Sequence, residues 1–164
     1  MNFTKGDTVH HSLHGIGTIR DVQVKELLGS KIKFAILYFE REQLEMMVPI
    51  GDLPAKVRSP IDESQAQKVL THLEEWDGNL AKEWKTRNRR NQERLESGDP
   101  MELSHIVKGL TVLQEKKGRL NSSDQRQLDR SLALLAEELA VALGTTQEAM
   151  NERLTTCCSS ADAA

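Results

Sequence analysis

The chain has 164 residues, enough for one domain or two small ones, with 38% hydrophobic, 29% charged and only 4% aromatic residues. A net charge of −3 excludes a protein that coats nucleic acid with its whole surface, so any such contact must be local. The two cysteines, Cys157 and Cys158, are adjacent, which excludes a disulfide framework and a CxxC metal motif; no apolar run nears the roughly 18 residues of a membrane span, the start lacks a secretory leader, and the expected setting is the cytoplasm.

The pattern changes near residue 60. Before it, short alternating runs predict strands at Thr8 to His11, Gly17 to Val24, Lys31 to Phe39 and Leu44 to Ile50. Turns are expected at Leu13–Gly15, Glu26–Ser30 and Glu40–Glu42. In the run Lys31 to Phe39, Ile32, Phe34, Ile36 and Tyr38 alternate, yet Ala35, Leu37 and Phe39 are apolar too. Its middle therefore reads as buried on both faces. Regular short strands with polar turns predict a small antiparallel barrel over 1–55, joined through Pro54 to Pro60 to a helical domain over 61–154. The fold class is α+β. The small, polar end, 155–164, reads as a flexible tail.

The second half carries clear helix punctuation. Asp62-x-x-Gln65 and Thr145-x-x-Glu148 resemble capping boxes, and Asp99-Pro100-x-Glu102 sets a cap, a first-turn proline and an acid in order. Gly78, Gly98, Gly118 and Gly144 stand where helices would stop. These signals predict helices over 62–76, 81–97, 100–117, 123–143 and 146–154. Core-facing stripes follow from the spacing of Ala66, Val69, Leu70 and Leu73. Leu103, Ile106, Val107, Leu110 and Leu113 form a second, and Leu128, Leu132, Leu135, Leu139 and Leu143 a third.

One predicted helix differs from the rest. Residues 82–94 carry Lys82, Lys85, Arg87, Arg89, Arg90 and Arg94 against Glu83 and Glu93, a net +4; with −3 overall, the remainder sums to −7. At about 100° per residue, Lys82, Lys85 and Arg89 form one stripe and Arg87, Arg90 and Arg94 another. Between them lie Trp84, Asn88, Asn91 and Leu95. Lys and Arg neutralise phosphates, and Asn both donates and accepts at phosphates, sugars and base edges. The indole of Trp84 offers a flat face to unstacked bases. Two other readings compete: Trp84 as a core anchor alongside Leu95, and the charge run as a solvated face. Trp76, ending an apolar-striped helix, reads as packing.

Nothing demands catalysis, a cofactor or a small-molecule substrate. His10, His11 and His14 cluster at the first turn without the spacing of a zinc site. Gly15-x-Gly17 lacks the third glycine and the following helix of a nucleotide loop. Glu74-Glu75 and Glu137-Glu138 read as ordinary helix surface.

The order of short motifs resembles the CarD/CdnL family of bacterial RNA-polymerase-binding transcription regulators. They are Phe3-x-x-Gly6-Asp7-x-Val9, His14-Gly15-Ile16-Gly17, Gly29 and Met47-Val48-Pro49 in the first half. Trp84 with its basic stretch, Leu95-x-Ser97-Gly98-Asp99, Ile106-Val107-x-x-Leu110 and Leu134-Leu135-Ala136-x-Glu138-Leu139 continue the match, which covers about 3 to 154. The sequence departs from the family pattern at His11-Ser12, where many relatives have Tyr-Pro, at Met47, where many carry a basic residue, and over Gly51 to Arg58.

The resemblance implies a Tudor-like barrel, shared with transcription-repair coupling factors, that binds the polymerase β subunit. On this sequence the contact falls at Lys25 and on the Leu44–Met47 strand, where alternation turns one of Met46 and Met47 inward. It also implies a helical domain holding promoter DNA at the upstream edge of the bubble. There Trp84 wedges into the minor groove, with Arg87 and Arg89 on the phosphates. The DNA-facing set is Trp84, Lys85, Arg87, Asn88, Arg89, Arg90 and Asn91. The implied product is a stabilised open complex, in a cytoplasmic, nucleoid-associated protein. The alternative is an adaptor whose barrel binds another protein and whose helix does no wedging.

Overall fold

The computed structural model describes residues 2–159. The chain divides into two compact units between Pro60 and Ile61.

In the first unit, β1 (Thr8–His11), β2 (Gly15–Leu27), β3 (Ser30–Phe39), β4 (Leu44–Pro49) and β5 (Val57–Arg58) form one antiparallel sheet in the order β4-β3-β2-β1-β5. A short helix, α1 (Leu53–Lys56), leads into β5. The β2–β3 hairpin is longer than the sequence suggested. Leu28 and Gly29 both have positive φ (52° and 79°), so a two-residue turn closes it. Strand pairing consequently continues out to Leu27↔Ser30. A bulge at Arg20 shifts the register between Ile19 and Asp21.

The alternation of β3 resolves in favour of its odd positions. Ala35, Leu37 and Phe39 join Val9, Ile19, Val48, Leu53 and Val57 in the core, while Ile36 and Tyr38 lie on the other face, half-buried. Phe34 is also buried, so the middle of the strand is covered on both sides. Gly17 allows the closest approach here, since a Cβ on it would stand 2.7 Å from the Phe39 ring. Mutual packing of such apolar faces, at about 25 cal/mol per Å² removed from water, is what holds this sheet closed over its core.

The second unit is helical: α2 (Glu63–Glu75), α3 (Trp84–Ser97), α4 (Pro100–Lys117), α5 (Ser122–Leu143) and α6 (Gln147–Cys158). The caps act as their chemistry requires. Asp62 and Gln65 form a reciprocal capping box, and the Asp99 side chain accepts from Met101 N with Pro100 in the first turn. Gly98, Gly118 and Gly144 take left-handed conformations at the ends of α3, α4 and α5. The three apolar stripes meet in one core built on Leu73, Leu103, Ile106, Leu110, Leu135 and Leu139. Leu113, Leu132 and Leu143 pack at its margin, half-buried.

Several details differ from the sequence reading. The cap of α6 is Thr146, accepting from Ala149 N, not Thr145. Gly78 has positive φ but lies in the connector beyond α2, whose last residue is Glu75. Helix α3 begins at Trp84, three residues later than the expected start at 81. Glu138 is not surface: it is buried and accepts a hydrogen bond from Ile61 N at 3.0 Å. Residues 155–158 are helical, because Met150, Leu154 and Cys158 recur every four residues and all three are buried. Of the rest of the expected tail, Ser159 follows the helix without regular structure and 160–164 lie outside the described residues.

Candidate nucleic-acid interface

Helix α3 opens on Trp84, directly after Glu83, which caps it through its backbone without a side-chain hydrogen bond. Further along the same face, Asn91 and Leu95 are buried. That cover runs out toward the helix start, and the Trp84 side chain is left 45% exposed. Trp84 is thus not enclosed by the core at this position, whereas Trp76 is half-buried and stacked on His72, as packing requires.

The cations sort into two groups. Lys82, Lys85, Arg89 and Arg90 are exposed. Lys85 and Arg89 are four apart, so they stand one above the other on the helix beside Trp84. Arg87 is different, since it is only 3% exposed. Its Nη2 lies 2.8 Å from Asp124 Oδ2, and its Nη1 donates to the carbonyl oxygens of Ala81 (3.3 Å) and Lys82 (3.2 Å). Arg94 is half-covered, bonded to Asn91 Oδ1 at 2.8 Å and 3.4 Å from Glu102.

Three expected DNA contacts are corrected by this geometry. Arg87 directs its donors to Asp124 and two carbonyls and lies too deep to reach a phosphate. Asn91 is fully buried and accepts from Arg94. Asn88 turns toward α5, where its Nδ2 donates to Ser123 Oγ at 2.6 Å and its carbonyl accepts from Gln127 Nε2. Arg87 and Asn88 fix the start of α3 to the start of α5. What remains exposed at this end of α3 is the indole of Trp84, together with Lys82, Lys85, Arg89 and Arg90.

Asp124 escapes the sequence reading, because an acid three residues after the Asn121 cap looks like an ordinary first-turn carboxylate. It does serve that cap, accepting from Asn121 Nδ2 at 3.0 Å while Asn121 Oδ1 accepts from Asp124 N. The signal in the sequence is the local excess of cations over 82–94, which leaves one of them available to pair with it.

In the first unit, β4 is an edge strand of the sheet. Leu44 and Met46 turn inward against the core, and Met47 points out, 43% exposed. The side chains of Leu44 and Met46 are thus removed from the candidate contact, and only their backbone edge remains. Met47 pairs with Ile36 and Lys25 with Ile32, so all four share one face of the sheet. Lys25 is exposed on the far part of the hairpin, beyond the last β3–β4 pair at Phe34↔Pro49.

Among the described residues, no group of three His, Cys, Asp or Glu is arranged to hold a metal ion. No described helix is long and apolar enough to cross a membrane. The first-turn histidines are structural neighbours: His11 and His14 rings stand 4.8 Å apart against Phe39, and His14 Nδ1 lies 2.7 Å from Glu42.

Residues 68–155 match the family model of the CarD C-terminal domain, and residues 3–61 match that of the CarD-like/TRCF RID domain. The chain belongs to the CarD family. Among curated proteins, this CarD-family chain is similar to one from Bacillus subtilis (strain 168) called "Putative transcription factor YdeB", 25% identical over 147 residues that span 89% of this chain and 95% of that one. The CarD family comprises transcription-associated factors, whose RID domain serves interaction with RNA polymerase in general, and it is not an enzyme class. Its Tudor-like antiparallel unit followed by a helical unit is the architecture described above.

Proposed function

We propose that this CarD-family protein stabilises the open promoter complex, binding the RNA polymerase β subunit through its N-terminal unit and promoter DNA through its helical unit. The observation that carries this reading is the exposed indole of Trp84 at the head of α3, on a segment that also exposes Lys82, Lys85, Arg89 and Arg90. An exposed indole on a basic helix suits a kinked minor groove at the upstream edge of the bubble. The ring replaces part of the stacking removed at a base step, and the cations neutralise the phosphates on either side. Holding such a step apart costs a few kcal/mol, and contact with Trp84 offsets part of that cost.

A net charge of −3 gives weak DNA affinity to the free protein. Tethering to polymerase removes the need for more, because it raises the local concentration of α3 at the promoter. The tether in this reading is the backbone edge of β4 with Met47 and Lys25. An exposed edge extends a partner sheet through main-chain hydrogen bonds, and flanking side chains set specificity.

Polymerase β passed over the immobilised full-length chain tests the tether. Retention by the wild type, reduced by Lys25→Glu and by Met47→Asp, supports it. If the wild type retains no β subunit, the chain is better read as an adaptor for another protein.

A further inference from the structure

We propose that the helical unit carries a binding cleft for a small amphiphilic anion, formed where the α2–α3 connector crosses the C-terminal half of α4. The cleft has a volume of about 330 Å³. That is at the lower end of the range for small-molecule sites. Its floor is apolar, made by Leu80, Val112 and Leu113. Its rim is basic, made by Lys82, Lys116 and Lys117, and no carboxylate belongs to its lining.

The walls are built for close approach. Gly78 (φ +81°) sits against Val112, where a Cβ would stand 2.8 Å from Cγ2. Gly109, inside α4, lies directly under the Leu80 side chain, which a Cβ there would overlap. A glycine inside a helix costs roughly 1 kcal/mol relative to alanine, so its presence reflects the seat it gives Leu80. Arg87 fixes the other end of the connector through its bonds to the Ala81 and Lys82 carbonyls. The connector therefore spans the cleft with both ends fastened.

Charge identifies the occupant. Three lysines stand against the negative end of α4, which is equivalent to about half a charge. Arg87 contributes little, since Asp124 neutralises it. The balance remains clearly positive and favours a carboxylate, sulfonate or phosphate at the rim. The leucine and valine floor favours an aromatic or short aliphatic body below it. A nucleic-acid backbone would satisfy the lysines but gain nothing from that floor, which makes a small molecule the better fit.

The test uses the full-length protein and 8-anilinonaphthalene-1-sulfonate, followed by fluorescence, with uncharged N-phenyl-1-naphthylamine as its companion. Saturable binding at one site per chain is expected. Leu113→Trp, which fills the cleft, should abolish it. Lys116→Glu with Lys117→Glu should weaken the anionic probe about five- to tenfold and leave the uncharged one within about twofold. Amide NMR shifts on the wild type provide a check independent of any variant. They should be confined to 78–82 and 109–117. Shifts centred elsewhere, binding that survives Leu113→Trp in a folded variant, equal loss of both probes on charge reversal, or no saturable binding would each overturn the proposal.

Discussion

Arg87 and Asp124 form an ion pair at 2.8 Å with side chains only 4% and 2% exposed, joining α3 to α5 across 37 positions of sequence. Removing one partner leaves the other charged and buried. Asp124→Ala or Arg87→Ala should therefore cost about 3–5 kcal/mol in denaturant unfolding. Arg87→Met combined with Asp124→Leu should recover most of that loss, because the desolvation of both charges disappears with the pair. Equal losses in the single and double variants would show that the pair is not the source.

The exposed cations should act on DNA without acting on the fold. Alanine at Lys85, Arg89 and Arg90 together should change unfolding stability by under about 1 kcal/mol. The same variant should lower the slope of log affinity against log salt by about three for duplex DNA, one for each phosphate that is no longer neutralised. A slope unchanged from wild type would remove this face from the interface.

Much of this arrangement is legible in the sequence, and the remainder is hidden for a physical reason. Helix ends follow local chemistry: Asp62 with Gln65, Asp99 with Pro100, and Gly98, Gly118 and Gly144 all act within a few residues of themselves. The core stripes also follow, since Leu73, Leu110 and Leu139 answer to a helical period. Arg87 is the contrary case. On a helical wheel it is one more surface cation, and Asp124, brought near by the packing of α5, together with the Ala81 and Lys82 carbonyls, makes it internal. Glu138 is likewise taken inside by Ile61 N, a partner 77 positions away. At the end of α6, Cys158 looks incidental beside Ser159, although its spacing continues the buried stripe of Met150 and Leu154.

Stability should fall on acidification. Burial, and then the charge of neighbouring His72, hold His105 below the ordinary histidine pKa, against a smaller opposing effect of Glu102; Arg94 adds to the lowering. Its neutral form is thus favoured in the fold, and the unfolded chain binds the proton more readily. The stability it contributes is complete above the ordinary histidine pKa of about 6.5 and is lost as pH falls through its lowered folded value. Thermal unfolding of wild type at pH 7 and pH 5 should show a drop in midpoint that His105→Phe reduces. A drop of the same size in that variant would assign the effect elsewhere, His11 being lowered chiefly by burial too.

The cysteines should be poor nucleophiles. Burial pushes the Cys158 thiol up to about 12. Cys157 is also raised, by burial and then by Glu74, to which its Sγ donates at 3.8 Å. Thiolate is the reactive form, so alkylation at pH 8 should be slow at Cys157 and absent at Cys158 until denaturant is added. Rapid labelling of Cys158 in the folded protein would contradict the buried end of α6.

The central claim is that Trp84 acts on DNA rather than on the fold. The decisive measurement is the lifetime of polymerase open complexes after addition of a competitor, with wild type and Trp84→Ala at saturating concentration. A half-exposed ring limits the folding cost to about 1.5–2.5 kcal/mol, half that of a buried one, so the variant should remain folded and bound to polymerase. Lifetimes falling to those of polymerase alone are the predicted result. Lifetimes equal to wild type, with the variant folded and bound, would contradict the account.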